Sequence, residues 1–128
     1  MGAILSRIKL AHEIDGDSLA AELSARTGVG WNASLRTLSG DTVEIVLEVP
    51  GLGWQVLLTR DRALGAYLVE TVPNHWLSIN YQFWQVIASL VKLGGSYISR
   101  DGKELPMTIP KWTSKKWSEL SWWARYGR

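Results

Sequence analysis

The sequence predicts an α+β fold in two layers: an antiparallel meander sheet, with a short N-terminal helix and a longer helix packed on one of its faces. Three observations carry this. Four successive runs between residues 31 and 72 are strand-like, with period-two alternation clearest in the middle, and are separated by short turns rich in Gly, Pro, Ser and Asp. Two other segments repeat apolar residues at helical spacing. A chain of 128 residues is one domain by length and can bury a core without metal or disulfide.

Ile4, Ile8, Leu10 and Ile14 alternate with Arg7, Lys9 and Glu13, which predicts a half-buried first strand with His12 on its apolar face. DGDSLAAELSARTG follows as a helix: Asp15 or Asp17 caps it, Leu19 and Leu23 are one turn apart, and Gly28 stops it. WNASLRTL is the next strand, closed by Ser39-Gly40-Asp41. In TVEIVLEV, Val43, Ile45, Leu47 and Val49 point one way, and Thr42, Glu44 and Glu48 the other. Pro50-Gly51 turns the chain into GWQVLLTR, and the loop ending at Gly65 leads into AYLVETV. Such runs make an antiparallel sheet with one wet face. HWLSINYQFWQVIASLVKLGG reads as the longer helix, with Tyr81, Trp84, Ile87, Leu90 and Val91 on its apolar side, Ser78 or Asn80 as cap and Gly94-Gly95 as stop. SYIS-RDGK-ELPM is a small hairpin around a type I′ Asp101-Gly102 turn, and Pro106 and Pro110 extend the connection to the tail.

The net charge of +2 is unevenly spread. Residues 1–110 hold nine Lys/Arg and eleven Asp/Glu, a balance of −2, and residues 111–128 hold five and one, a balance of +4. A nucleic-acid footprint would therefore be terminal. There is no cysteine, which excludes disulfide frameworks, thiolate zinc sites and cysteine nucleophiles and fits a reducing compartment. The opening residues lack a signal-peptide pattern, so a cytoplasmic location is expected, and no apolar run is long enough for a membrane span.

No residue pattern announces a reaction. His12 is expected to be structural, and His75 in PNHW, just before a helix, reads either as a polar residue of the helix entry or as a general base working with a carboxylate, the last-ranked alternative. No metal-ligand spacing, nucleophile elbow or phosphate loop occurs, so no catalytic residue, metal or cofactor is expected. The glycine pairs in GVGW and GLGW run into strands, with Trp31 and Trp54 anchoring sheet ends. Glu44 and Glu48 share the wet face of one strand, with Glu70 on a neighbour. Charged alternation of this kind serves solubility in any half-wet sheet. The functional alternative is a negative patch for a basic partner.

The tail KWTSKKWSELSWWARYGR holds four of the eight tryptophans. Interleaved Trp and Lys/Arg suits a surface that stacks bases and meets phosphates. As a helix from Ser114, it would instead lay Trp117, Leu120 and Ala124 on the core, pair Lys115 with Glu119, and leave Trp122 or Trp123 beside Arg125 as interface anchors.

The stretches IKLAHEIDGDSLAAELSARTG, VEIVLEVPGLGWQVLL and LGGSYISRDGKELP, spanning most of residues 4–110, resemble the small single-domain immunity proteins of bacterial toxin systems. The resemblance implies a compact α+β protein, encoded beside a toxin, that binds its partner without catalysis. It carries over no individual residue, and the +4 tail departs from the acidic bias of immunity proteins that cover nucleases. The expected function is thus occlusion of a toxin's active site, with contacts from Glu44, Glu48 and Glu70 or from Trp117, Trp122, Trp123 and Arg125. The alternative is a nucleic-acid-binding module that uses the tail.

Overall fold

In the computed structural model, residues 5–38, 42–71 and 78–121 are described. Six strands form one sheet: β1 (Leu5–Lys9), β2 (Asn32–Thr37), β3 (Val43–Val49), β4 (Trp54–Asp61), β5 (Ala66–Thr71) and β6 (Ser96–Ile98). Their order is β2-β3-β4-β5-β1-β6, and every neighbouring pair is antiparallel. Helices α1 (Gly16–Thr27) and α2 (Ile79–Lys92) pack on one face, as the sequence predicts. No described helix is long and apolar enough to cross a membrane.

The register explains why one face is dry. Ile45 lies opposite Leu58, and Leu58 opposite Val69; Leu47 lies opposite Val56. Directly opposed residues of an antiparallel pair point to the same side, so these side chains form a continuous apolar floor under α2. All five are buried.

The first strand is shorter than the alternation suggests. Pairing with β5 and β6 stops at Lys9, where both partners begin. Beyond it the chain turns, with Leu10 N–H donating to the Gly65 carbonyl and Ile14 N–H to Tyr67 Oη at 2.9 Å. His12 is consequently exposed in the β1–α1 loop rather than set on an apolar strand face. Asp15 is the N-cap position of α1, and Gly28 closes the helix at φ 76°, a left-handed conformation natural to glycine. At the end of α2 close approach matters instead: a Cβ on Gly95 would lie 2.6 Å from Ile8 Cγ2 and 2.8 Å from the Leu90 carbonyl oxygen.

Two local expectations change. Only Gly102 has positive φ in the hairpin after β6, so a type I′ turn, which needs two such residues, is excluded. Ser99 N–H donates to Lys103 O, and Gly102 N–H to Ser99 O, giving a three-residue loop with glycine at its left-handed position. The return arm keeps one bridge, Ile98 to Glu104. The tail forms two short 3₁₀ turns, Lys111–Ser114 and Trp117–Glu119, instead of an α-helix. Its carbonyls are claimed from outside: Gln85 Nε2 donates to Thr113 O at 2.9 Å, and Tyr81 Oη to Lys115 O at 3.0 Å. The Lys115–Glu119 pair does not form, since the Glu119 carboxylate accepts the Lys116 N–H.

Candidate partner-binding surface

The tail's described tryptophans are spent on the core. Trp117 stands edge-on to Trp54 at 4.9 Å between centroids and lies 5.0 Å from Tyr81; Trp112 stacks on Tyr81 at 5.9 Å. Trp31 completes the group against Trp54, its indole N–H donating to Thr27 Oγ1 at 2.9 Å. Trp117 is only 8% exposed. Trp117 therefore presents no open ring for stacking a base, while Lys111, Lys115 and Lys116 remain exposed. Trp122, Trp123, Arg125 and His75 lie outside the described residues.

The three acids share the sheet face away from the helices but do not form a patch. Glu44 and Glu48 are about 13 Å apart, four residues along one strand, and Glu70 lies two strands away in a different row. Glu44 is not solvated as the strand pattern suggests. It is 5% exposed, with one carboxylate oxygen on the Arg36 guanidinium and the other accepting from Thr59 Oγ1 at 3.4 Å. A cross-strand neighbour on each side explains this, since Arg36 and Thr59 are its direct partners in β2 and β4. Glu48 accepts from Gln55 Nε2 at 3.3 Å, and Glu70 is half-buried.

A different surface stands out at the end of the sheet where β2 and β3 meet the β4–β5 hairpin. A cleft of about 680 Å³ opens there. Its apolar floor includes Leu35, Val43 and Ile45, and Arg60 and Tyr67 form a wall. Leu35 is 71% exposed and Val43 39%, although both lie on the helix-covered side of the sheet. The start of α1 lies further in: a Cβ on Gly16 would meet Ile45 Cγ2 at 3.3 Å and Ala33 Cβ at 3.4 Å.

Arg60 is held in place. Its guanidinium lies over the Tyr67 ring at 5.4 Å, Nη1 donates to Tyr67 Oη at 3.4 Å, and Nε is 3.8 Å from the Glu13 carboxylate. Asp61 Oδ1 accepts the Leu64 N–H at 3.3 Å. Arg7 and Arg62, also at the cleft, take part in none of the ion pairs among the described residues. The cleft lining holds three arginines, Arg7, Arg60 and Arg62, against two acids, Glu13 and Asp61, so its charge is positive by one. Arginine is among the residue types enriched at interface hot spots, and the exposed Leu35 and Val43 add apolar area beside it.

A second groove, about 690 Å³, lies between the β1–α1 loop, α1 and the end of α2, lined by His12, Asp15, Glu22 and the exposed Leu93 among others. Lys92 closes on Glu22 there at 3.2 Å and ties the helices together. Among the described residues no group of three or more His, Cys, Asp and Glu could hold a metal ion.

Sequence reasoning does not single out Leu35 and Val43. The available signal is the poverty of NASLRT itself: one large apolar residue in six marks a strand that the core covers only at Ala33. No protein-family model matches the chain, and no curated protein or solved structure is significantly similar to it.

Proposed function

We propose that this chain is a non-enzymatic binding protein of the immunity type, acting in the cytoplasm, which neutralises a bacterial toxin by covering its active cleft. The observation that carries this is the exposed Leu35–Val43 patch flanked by arginines on a well-supported sheet end. Occlusion requires a surface that keeps its shape. The sheet beneath is braced by α2 and by the ring cluster of Trp31, Trp54, Tyr81 and Trp117. A few aliphatic and arginine anchors supply affinity, and unpaired positive charge speeds encounter with an acidic partner. Glu48 and Glu70, on the open face, are the competing anchors, and they call for a basic partner instead.

The experiment is co-expression with the product of the adjacent open reading frame. Growth is expected to be restored, and the two chains to co-elute in size exclusion. Neither protection nor complex formation would end the proposal. Reversing Glu48 and Glu70 to lysine separates the surfaces: the complex survives if the β2–β3 end is the contact. Glu44 is unsuited to such a reversal, because a lysine there would face Arg36 in a buried position.

A further inference from the structure

The sheet has two edges, and they are treated differently. β6 is short, and its outer side is occupied by its own return arm: Leu105 N–H donates to Tyr97 O at 2.9 Å, and Ile98 bridges Glu104. β2 is six residues long and, among the described residues, pairs only with β3. Five of its six residues are exposed. Edge strands are ordinarily guarded by proline, lysine, a bulge or an inward-pointing charge. NASLRT contains neither proline nor lysine, its one charged residue, Arg36, is engaged by Glu44, its register with β3 is unbroken, and its inward-facing residues are Ala33, Leu35 and Thr37.

The two faces of this edge offer different chemistry. On the helix side stands Leu35, 71% exposed. On the open side stands Arg36, whose side chain is 58% exposed even while it contacts Glu44. Arg62, just past the end of β4 two strands away, adds positive charge on this side, and Glu44, the acid directly opposite Arg36, is spent on it. We infer that β2 accepts an extended segment of the partner protein as a seventh strand, with apolar residues alternating on the helix side and acidic residues on the open side. Main-chain hydrogen bonds give such a contact its affinity, and alternate side chains give it specificity. The inference rests on the partner-binding reading above and names the segment that the site takes. A second copy of the chain is the poorer occupant. Self-pairing centred on Leu35 would set the two Arg36 side chains diagonally, about 7–8 Å apart, on one face.

Amide hydrogen exchange and chemical-shift mapping of the full chain test this, with an acetylated and amidated hexapeptide alternating valine and glutamate as the probe. At ~1 mM peptide, weak binding is detectable. Alternate amides of residues 32–37, unprotected in the free protein, should become protected. A valine–lysine hexapeptide should bind at least ~10-fold more weakly. Leu35→Glu should weaken the valine–glutamate peptide by a similar factor. Its thermal midpoint should stay close to that of the parent, because the side chain it replaces is mostly in water.

The inference is overturned if residues 32–37 show no response, if Leu35→Glu binds equally well, or if these amides are already protected in the free monomer. Concentration-dependent protection with dimer formation overturns it in favour of a second copy. A toxin complex that forms undiminished with Leu35→Glu would remove the strand inference and leave the binding function standing. Failure of every toxin complex would remove the binding function itself.

Discussion

Replacing Trp117 by alanine measures whether the tail closes the core. The indole is 8% exposed and sits against Trp54 and Tyr81, with centroids 4.9 and 5.0 Å away. Burial of a tryptophan removes about 150–250 Å² from water. At about 25 cal/mol per Å² that is worth about 4–6 kcal/mol. Alanine retains a little of this, and a site near the surface relaxes partly into the space, so a loss of about 3–4 kcal/mol is expected, within the range for tryptophan truncations in cores. Total stabilities are about 5–15 kcal/mol, so the variant should remain folded but weakened. With a urea slope of about 2 kcal/mol per M, the midpoint should fall by about 1.5–2 M. Far-UV circular dichroism is the suitable signal, because eight tryptophans complicate fluorescence. Trp112→Ala is the internal comparison. Its ring is only half-buried and stacks on Tyr81 alone, so it should cost about half as much. A shift for Trp117→Ala below about 0.5 M, or no larger than that for Trp112→Ala, would refute the assignment of the tail to the core.

Three further substitutions have expected outcomes. Gly95→Ala forces a methyl group to within 2.6 Å of Ile8 Cγ2 and 2.8 Å of the Leu90 carbonyl oxygen, and should lower stability by about 1–3 kcal/mol by calorimetry; at Gly30 nothing lies within 4 Å, and alanine should change stability by no more than about 0.5 kcal/mol. The Ser99 hydroxyl beside Asp101, helped by the Asp101 backbone amide, holds that carboxyl below its ordinary value. The charged form is favoured in the folded hairpin, so its contribution is present above the ordinary aspartate pKa and is lost as pH falls through the lowered one. Carbon-detected NMR titration should show the low midpoint, and Ser99→Ala should raise it.

The sheet was legible where burial is one-sided. Ile45, Leu47, Val56 and Leu58 alternate with polar residues because only one face meets the helices, and period two reports that directly. α2 was legible from a different period: Tyr81, Trp84, Ile87 and Leu90 recur every three residues along INYQFWQVIASLVK. The exposed place of His12 could not be read from its neighbours. It follows from where β5 and β6 begin, which is set by residues far along the chain. The tail is similar. Its spacing suits a helix, but Tyr81 and Gln85 capture the carbonyls of Lys115 and Thr113, which no local pattern encodes. The neutralisation of Glu44 also escapes a one-strand view, because Arg36 and Thr59 are brought to it by the ladder. The cleft was missed because an exposed leucine is visible only once α1 is seen to stop short of it.

The place of β1 in the sheet has a consequence for how the molecule is made. β1 lies between β5 and β6, away from β2, which follows it in the sequence. Its pairing with β5 joins residues 57 to 65 positions apart, from Lys9 with Ala66 to Leu5 with Glu70. Such distant closures slow folding, so β1 should join the sheet late, after the local β2–β3–β4–β5 meander has paired.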